Sequence, residues 1–170
     1  MKNLKNYLSG LFLLVLFISC EQESIGPVEP IADGAGTLTT YKAYTLDSIP
    51  GTGFEVYGRA VFWEGIDGNT LLQVSLNNIA DTAVHPSSII AGTTMVPGDV
   101  LMPLYDITNT GEGYSFGEFS TSKYYVIANP DFFGSLDTYD AHVSILLNAS
   151  DTLILSSGNI GLNAEPVESN

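Results

Sequence analysis

The 170-residue chain has one cysteine, two histidines, one tryptophan and five basic residues, and each scarcity removes a class of chemistry. With Cys20 alone, no intramolecular disulfide can form, so the fold must hold by its core. Nucleophilic hydrolysis lacks its usual signature as well. There is no Gly-x-Ser-x-Gly elbow and no second cysteine, and neither His85 nor His142 stands in a recognisable triad. Phosphate loops are missing: Asp33-Gly34-Ala35-Gly36 precedes strand-forming sequence and has no P-loop lysine. Five Lys and Arg against nineteen Asp and Glu give a formal net charge of −14. That sign repels phosphate backbones, which excludes nucleic acid as a partner. Long apolar runs are absent too, since the stretch Leu11 to Ile18 is shorter than the roughly 20 residues a membrane-spanning helix needs.

What stands at the front of the chain has the order of an export signal: Lys2 and Lys5, then an apolar run from Leu8 to Ile18, then Ser19-Cys20. The end of this segment, Phe17-Ile18-Ser19-Cys20, resembles the lipobox of bacterial lipoproteins, with Phe17 where leucine is usual. The resemblance implies removal of residues 1–19 as a signal peptide and lipid attachment at Cys20, with acyl chains such as palmitate inserted in the membrane. At about 0.8 kcal/mol per buried methylene, several chains on one cysteine make a stable anchor. Removal of 1–19 leaves 170 − 19 = 151 residues with three basic residues against nineteen acids, 3 − 19 = −16. Residues 20–35 mix acids, Pro and Gly without a period and are expected to form a flexible tether. Glu21 and Glu23, directly after the cysteine, fit an outer-membrane lipoprotein displayed at the cell surface.

From about residue 36 to 164 the chain is rich in β-branched and aromatic residues punctuated by Gly, Asn, Asp and Pro, without a sustained 3.6-residue period. This predicts a single all-β domain, an antiparallel β-sandwich or Greek-key-like barrel of eight to nine strands, followed by a tail at 165–170. Expected strands are Thr37–Asp47, Phe54–Glu64, Thr70–Asn77, Ser87–Ala91, Asp99–Ile107, Tyr114–Phe119, Lys123–Ala128, Ala141–Asn148 and Thr152–Ile160. Gly65 to Asn69 and Asn148 to Asp151 predict hairpin turns, and Pro130 to Leu136 a short helical turn. Leu72, Val74 and Leu76 alternate with Gln73, Ser75 and Asn77, which predicts one dry and one wet face. Val143, Ile145 and Leu147 repeat the pattern and put His142 on the wet side.

Gly58-Arg59-Ala60-Val61-Phe62, the alternating strand from Thr70, His85-Pro86-Ser87-Ser88-Ile89-Ile90-Ala91-Gly92 and the closing Gly158-Asn159-Ile160-Gly161 stand in an order that resembles a CHRD-type (chordin-like) domain over roughly residues 55–163. The family carries further histidines where this chain has Ser88, Ile90 and Leu146. A transition-metal centre built from clustered imidazoles is therefore reduced to His85 and His142, expected as a loop residue and a surface residue.

The other candidates are Asp131, Asp137 and Asp140, oxygen ligands in a loop without EF-hand spacing, and Trp63, Tyr124 and Tyr125, aromatics able to stack on sugars or to pair within the sheet. No catalytic residue, metal or cofactor is expected, and the chain is read as a non-enzyme. The expectation is a membrane-anchored binding or structural module with a protein or glycan partner at the cell envelope. The alternatives are a metal-binding or redox-related module and a carbohydrate-binding module.

Overall fold

The computed structural model describes residues 38–51, 53, 55–65, 68–79, 83–108 and 121–170. The signal peptide, Cys20, the tether and the expected strand Tyr114–Phe119 lie outside the described residues. The remainder is an all-β domain. Its main body is a nine-stranded antiparallel sheet curled into a half-barrel.

The strands are β1 (Tyr41–Ser48), β2 (Tyr57–Glu64), β3 (Thr70–Asn77), β4 (Val84–His85), β5 (Ser87–Thr93), β6 (Val96–Pro103), β7 (Ile107–Thr108), β8 (Thr121–Ile127), β9 (Asp140–Asn148), β10 (Asp151–Gly161) and β11 (Glu168–Ser169). They lie in the order β6-β5-β9-β10-β1-β2-β3-β8, with β11 beside the start of β1, while β4 and β7 form a separate two-stranded ladder. The predicted hairpin turns are both present: Gly65 N–H bonds Asn69 O at 2.8 Å, and Ser150 N–H bonds Asn148 Oδ1 at 2.8 Å.

Neighbouring strands approach closely at two glycines of the sheet. A Cβ on Gly58 would lie 1.9 Å from Ser75 O, and one on Gly158 would lie 2.0 Å from Thr45 O, so only glycine fits either place. These two glycines flank β1 through its neighbours β2 and β10, and β1 is the strand shared by the two halves of the sheet. It pairs with β11 at Lys42 and Ala43, then with β10 at Asp47 and Ser48.

The inside of the curl is the core. Gly58, Ala60 and Phe62 of β2 face it, as do Leu72, Val74 and Leu76 of β3 and Tyr125 and Ile127 of β8. From the other half come Ile89, Val143, Ile145, Leu155 and Ile160. The expected helical turn is present as α1 (Phe132–Ser135) running into a 3-10 turn at Leu136–Thr138. It fits into the concave side: Phe132, Phe133 and Leu136 are buried, and the Phe132 ring sits 5.9 Å from Phe62 and 5.2 Å from Tyr139. Lys42 holds this turn from β1, pairing with Asp137 at 2.7 Å and lying 5.3 Å above the Phe133 ring.

Two segments differ from their sequence reading. Residues 165–170, expected as a tail, carry β11, and Asn170 and Tyr41 exchange both backbone bonds at 3.1 Å. The region expected as strand Asp99–Ile107 is split. The edge strand β6 ends at Pro103, and Leu104 to Asp106 continue beyond it to lie between β5 and β8, where Ser87 Oγ and Tyr125 Oη both donate to Tyr105 O at 2.9 and 2.6 Å.

Candidate functional site

Period-two alternation in β2, β3 and β8 turns every second residue away from the core. On that outer face, Tyr41 of β1, Trp63 of β2, Leu71 of β3 and Val126 of β8 fall in one cross-strand row. The next rows carry Val61, Gln73 and Tyr124, then Arg59, Ser75 and Ser122. The inner partners of these residues are dry. Apart from Ser75, which is buried, the outer ones are half-buried or exposed, Tyr124 by 56% and Val126 by 67%.

Within this face lies a shallow groove of about 220 Å³ lined by Tyr41, Arg59, Val61, Trp63, Gln73, Ser75 and Glu168. Tyr41 and Trp63 form its aromatic wall, with ring centroids 4.7 Å apart and planes 40° apart. The opposite wall is an ion pair from elements far apart in sequence: Arg59 Nη2 to Glu168 Oε2 at 2.5 Å. The other carboxylate oxygen accepts the Tyr41 hydroxyl at 2.6 Å. These bonds from Tyr41 and Arg59 hold the Glu168 carboxyl below its ordinary range, and the same Tyr41 contact raises the phenol.

Gln73 Nε2 donates to Ser75 Oγ at 3.1 Å, and Ser75 Oγ lies 2.7 Å from Ser122 Oγ. Arg59 Nε is buried and has no acceptor among the described residues. The groove thus combines an aromatic surface with donors and acceptors whose positions are fixed by their own bonds.

A larger cleft of about 560 Å³ opens where β1 and β10 diverge, between the Thr94-Met95 turn and Ala164 to Val167. Its surface is mostly apolar, from Ile49, Pro50, Met95 and Ile154, with Asp47 and Glu165 among the polar lining. Neither the tryptophan nor any cation lines it. The smaller groove has both, and it is the better candidate on chemistry.

The sequence candidates separate in the structure. Trp63 and Tyr124 lie on the outer face as a platform requires, but Tyr125 does not. One position along the strand, it points inward, is 4% exposed, and stacks on Tyr105 at 5.4 Å. Its burial raises the phenol above its usual range.

His85 and His142, expected in a loop and at the surface, are each 1% exposed. His142 does oppose Val143 and Ile145, but that face is covered. Its Nδ1 is 2.9 Å from Gly92 O, Thr94 N–H bonds Asn159 beside it, and Asn163 bonds Gly92 O and Ala141 O. His85 lies in β4 with Nδ1 3.3 Å from Leu146 O. Leu146 is four residues from His142 on β9, a span of about 13 Å at 3.3 Å per residue, so the imidazoles do not converge.

The three aspartates are likewise engaged with protein groups or apart. Asp137 pairs with Lys42, Asp140 accepts Asn163 Nδ2 at 2.8 Å, and Asp131 is exposed. Among the described residues no three His, Cys, Asp or Glu side chains are grouped to hold a metal ion. No described helix is long and apolar enough to cross a membrane.

Tyr41, Arg59, Gln73 and Glu168 are among the groove residues that sequence reasoning missed. The phase of β2 and β3 places Arg59 and Gln73 on Trp63's face, so those two were within reach of the pattern. Glu168 was not, because nothing local ties it to Arg59, 109 residues away. Compared with known proteins, the chain matches no family model, no curated protein and no solved structure.

Proposed function

We propose that this chain is a lipid-anchored, non-enzymatic binding module of the cell envelope. Acyl chains on Cys20 tether it, and the outer face of β1, β2, β3 and β8 receives its partner. The observation that carries this reading is the groove at Trp63, where aromatic and polar groups converge on the outer face of the sheet. The lipobox-like Phe17-Ile18-Ser19-Cys20 supports the anchor, and Glu21 and Glu23 support display at the surface of the outer membrane.

Kinship with CHRD-type domains is part of the same proposal. It draws on the order of the Gly58, His85 and Gly158 motifs. The metal-binding alternative has less support, since His85 and His142 are buried and face separate backbone carbonyls.

Two measurements test the proposal. Cys20→Ser is expected to release the chain from the membrane fraction or stall its processing, and unchanged anchoring overturns the tether. In detergent, wild-type protein is expected to pellet with envelope material from which the lipid has been extracted, and Trp63→Ala to stay in the supernatant. Equal pelleting of both removes the outer face as the receiving surface.

A further inference from the structure

We infer that the outer-face groove is a saccharide subsite that seats one uncharged pyranose ring, an assignment resting on the reading of this face as the ligand-facing surface. A pyranose is amphipathic in a particular way: one side of the ring is a patch of C–H groups, and its edge is a circle of hydroxyls. The groove has the same division. Trp63, braced by Tyr41 at 4.7 Å, with Val61 beside it, supplies a polarizable apolar surface.

Around it stand groups of both hydrogen-bonding senses. Each sugar hydroxyl donates and accepts, so a set of donors alone or acceptors alone would leave half of its capacity unmet. Arg59 presents the donor end of its guanidinium at the groove, Gln73 carries an amide that does both, and Glu168 is an acceptor with lone pairs beyond those used by Tyr41 and Arg59.

These groups are held in advance. The Tyr41–Glu168–Arg59 chain and the Gln73–Ser75–Ser122 chain fix the edge groups before a ligand arrives, which lowers the ordering cost of binding. The size limits the ligand further. About 220 Å³ is below the roughly 300–1,000 Å³ of sites that enclose drug-sized molecules, so one ring sits in the groove and the rest of a glycan stays in solvent.

Charge selects against acidic sugars. The groove's one cation is already paired with Glu168, and the chain as a whole carries −14. An apolar peptide is a poorer fit, because it would cover Arg59, Gln73 and Glu168 without satisfying them.

The chain's only tryptophan is the groove tryptophan, so its emission reports occupancy directly. The full chain, purified in a zwitterionic detergent that carries no sugar, is titrated with neutral oligosaccharides of glucose, xylose, mannose and N-acetylglucosamine, and with heparin. At least one neutral series is expected to shift or quench Trp63 saturably at millimolar concentration, and heparin is expected to do nothing. Gln73→Ala and Arg59→Ala, checked for native circular dichroism, are expected to weaken that response about tenfold, the effect of losing one or two hydrogen bonds.

No response to any neutral sugar, or a response that both variants leave unchanged, overturns the assignment. If sugars fail while wild type still pellets with lipid-extracted envelope and Trp63→Ala does not, the ligand class is wrong and the face is right. If pelleting is also indifferent to Trp63, both readings fall together.

Discussion

The two halves of the curled sheet treat their outer faces in opposite ways. In the half made of β1, β2, β3 and β8, the inner face is dry and the outer face is open, with Tyr124 and Val126 more than half exposed. In the half made of β9, β10 and β5, the centre is buried on both sides: Ala141 through Ile145 are all buried, including His142 and Ser144, which point away from the core. A sheet covered on both faces has little surface left to offer a partner. The open half therefore carries the groove, and the closed half supports it.

The contrast predicts that stability and recognition separate by face. The largest effect belongs to the shared interior: Phe62→Ala, which removes a fully buried ring packed on Tyr44 and Phe132, is expected to cost about 3–5 kcal/mol in urea unfolding. In the closed half, His142→Ala is expected to cost about 2–3 kcal/mol even though the residue opposes the core, since it leaves a cavity and takes a partner from Gly92 O. A loss near zero would mean that this face is open after all.

Next comes Tyr125→Phe, which keeps the buried ring and removes the hydroxyl bonded to Tyr105 O. About 1–2 kcal/mol is expected, with the Leu104 to Thr108 segment gaining hydrogen exchange first. The smallest effects belong to the open face. Tyr124→Ser is expected to stay within about 0.5 kcal/mol of wild type.

Glu168 makes the last distinction, by pH. Its carboxyl is held low by Tyr41 and Arg59, so its contribution is present above the unfolded carboxylate range and is lost as pH falls through the lower folded value. An acid titration followed by Trp63 emission should therefore show the groove changing before the domain unfolds, and Glu168→Gln should abolish that early step. A single transition in both proteins would mean that the Glu168 contacts are not a separate element of the groove.

Much of the fold was legible because its cause is local. Leu72, Val74 and Leu76 alternate with Gln73, Ser75 and Asn77, and the structure places the first three at the core and the others on the opposite face. Gly58, Ala60 and Phe62 are likewise one inner stripe of β2. The same rule separates Tyr124 from Tyr125: neighbours in a strand face opposite ways, so the two could not both serve one platform, and Tyr125 takes the place in the core. The split at Pro103 and the docking of β11 were not legible, because the Leu104 to Asp106 segment and the last residues have no apolar period to mark them.

His142 marks the limit of such reading. Periodicity correctly put it opposite Val143 and Ile145, but a period states which way a side chain points and not what lies there. The Thr94-Met95 turn and Asn163, distant in sequence, decide that it is buried.

By itself, then, the sequence determined an all-β domain, disulfide-free and acidic, with its turns and the inner faces of its main strands. Those properties follow from composition and from contacts within one or two residues. Only the tertiary structure decided which outer face stays open, and brought Glu168 across 109 residues to Arg59 and across 127 to Tyr41. A groove assembled from strands that meet only after the chain has folded leaves no pattern along the chain, because the interactions that shape it are non-local.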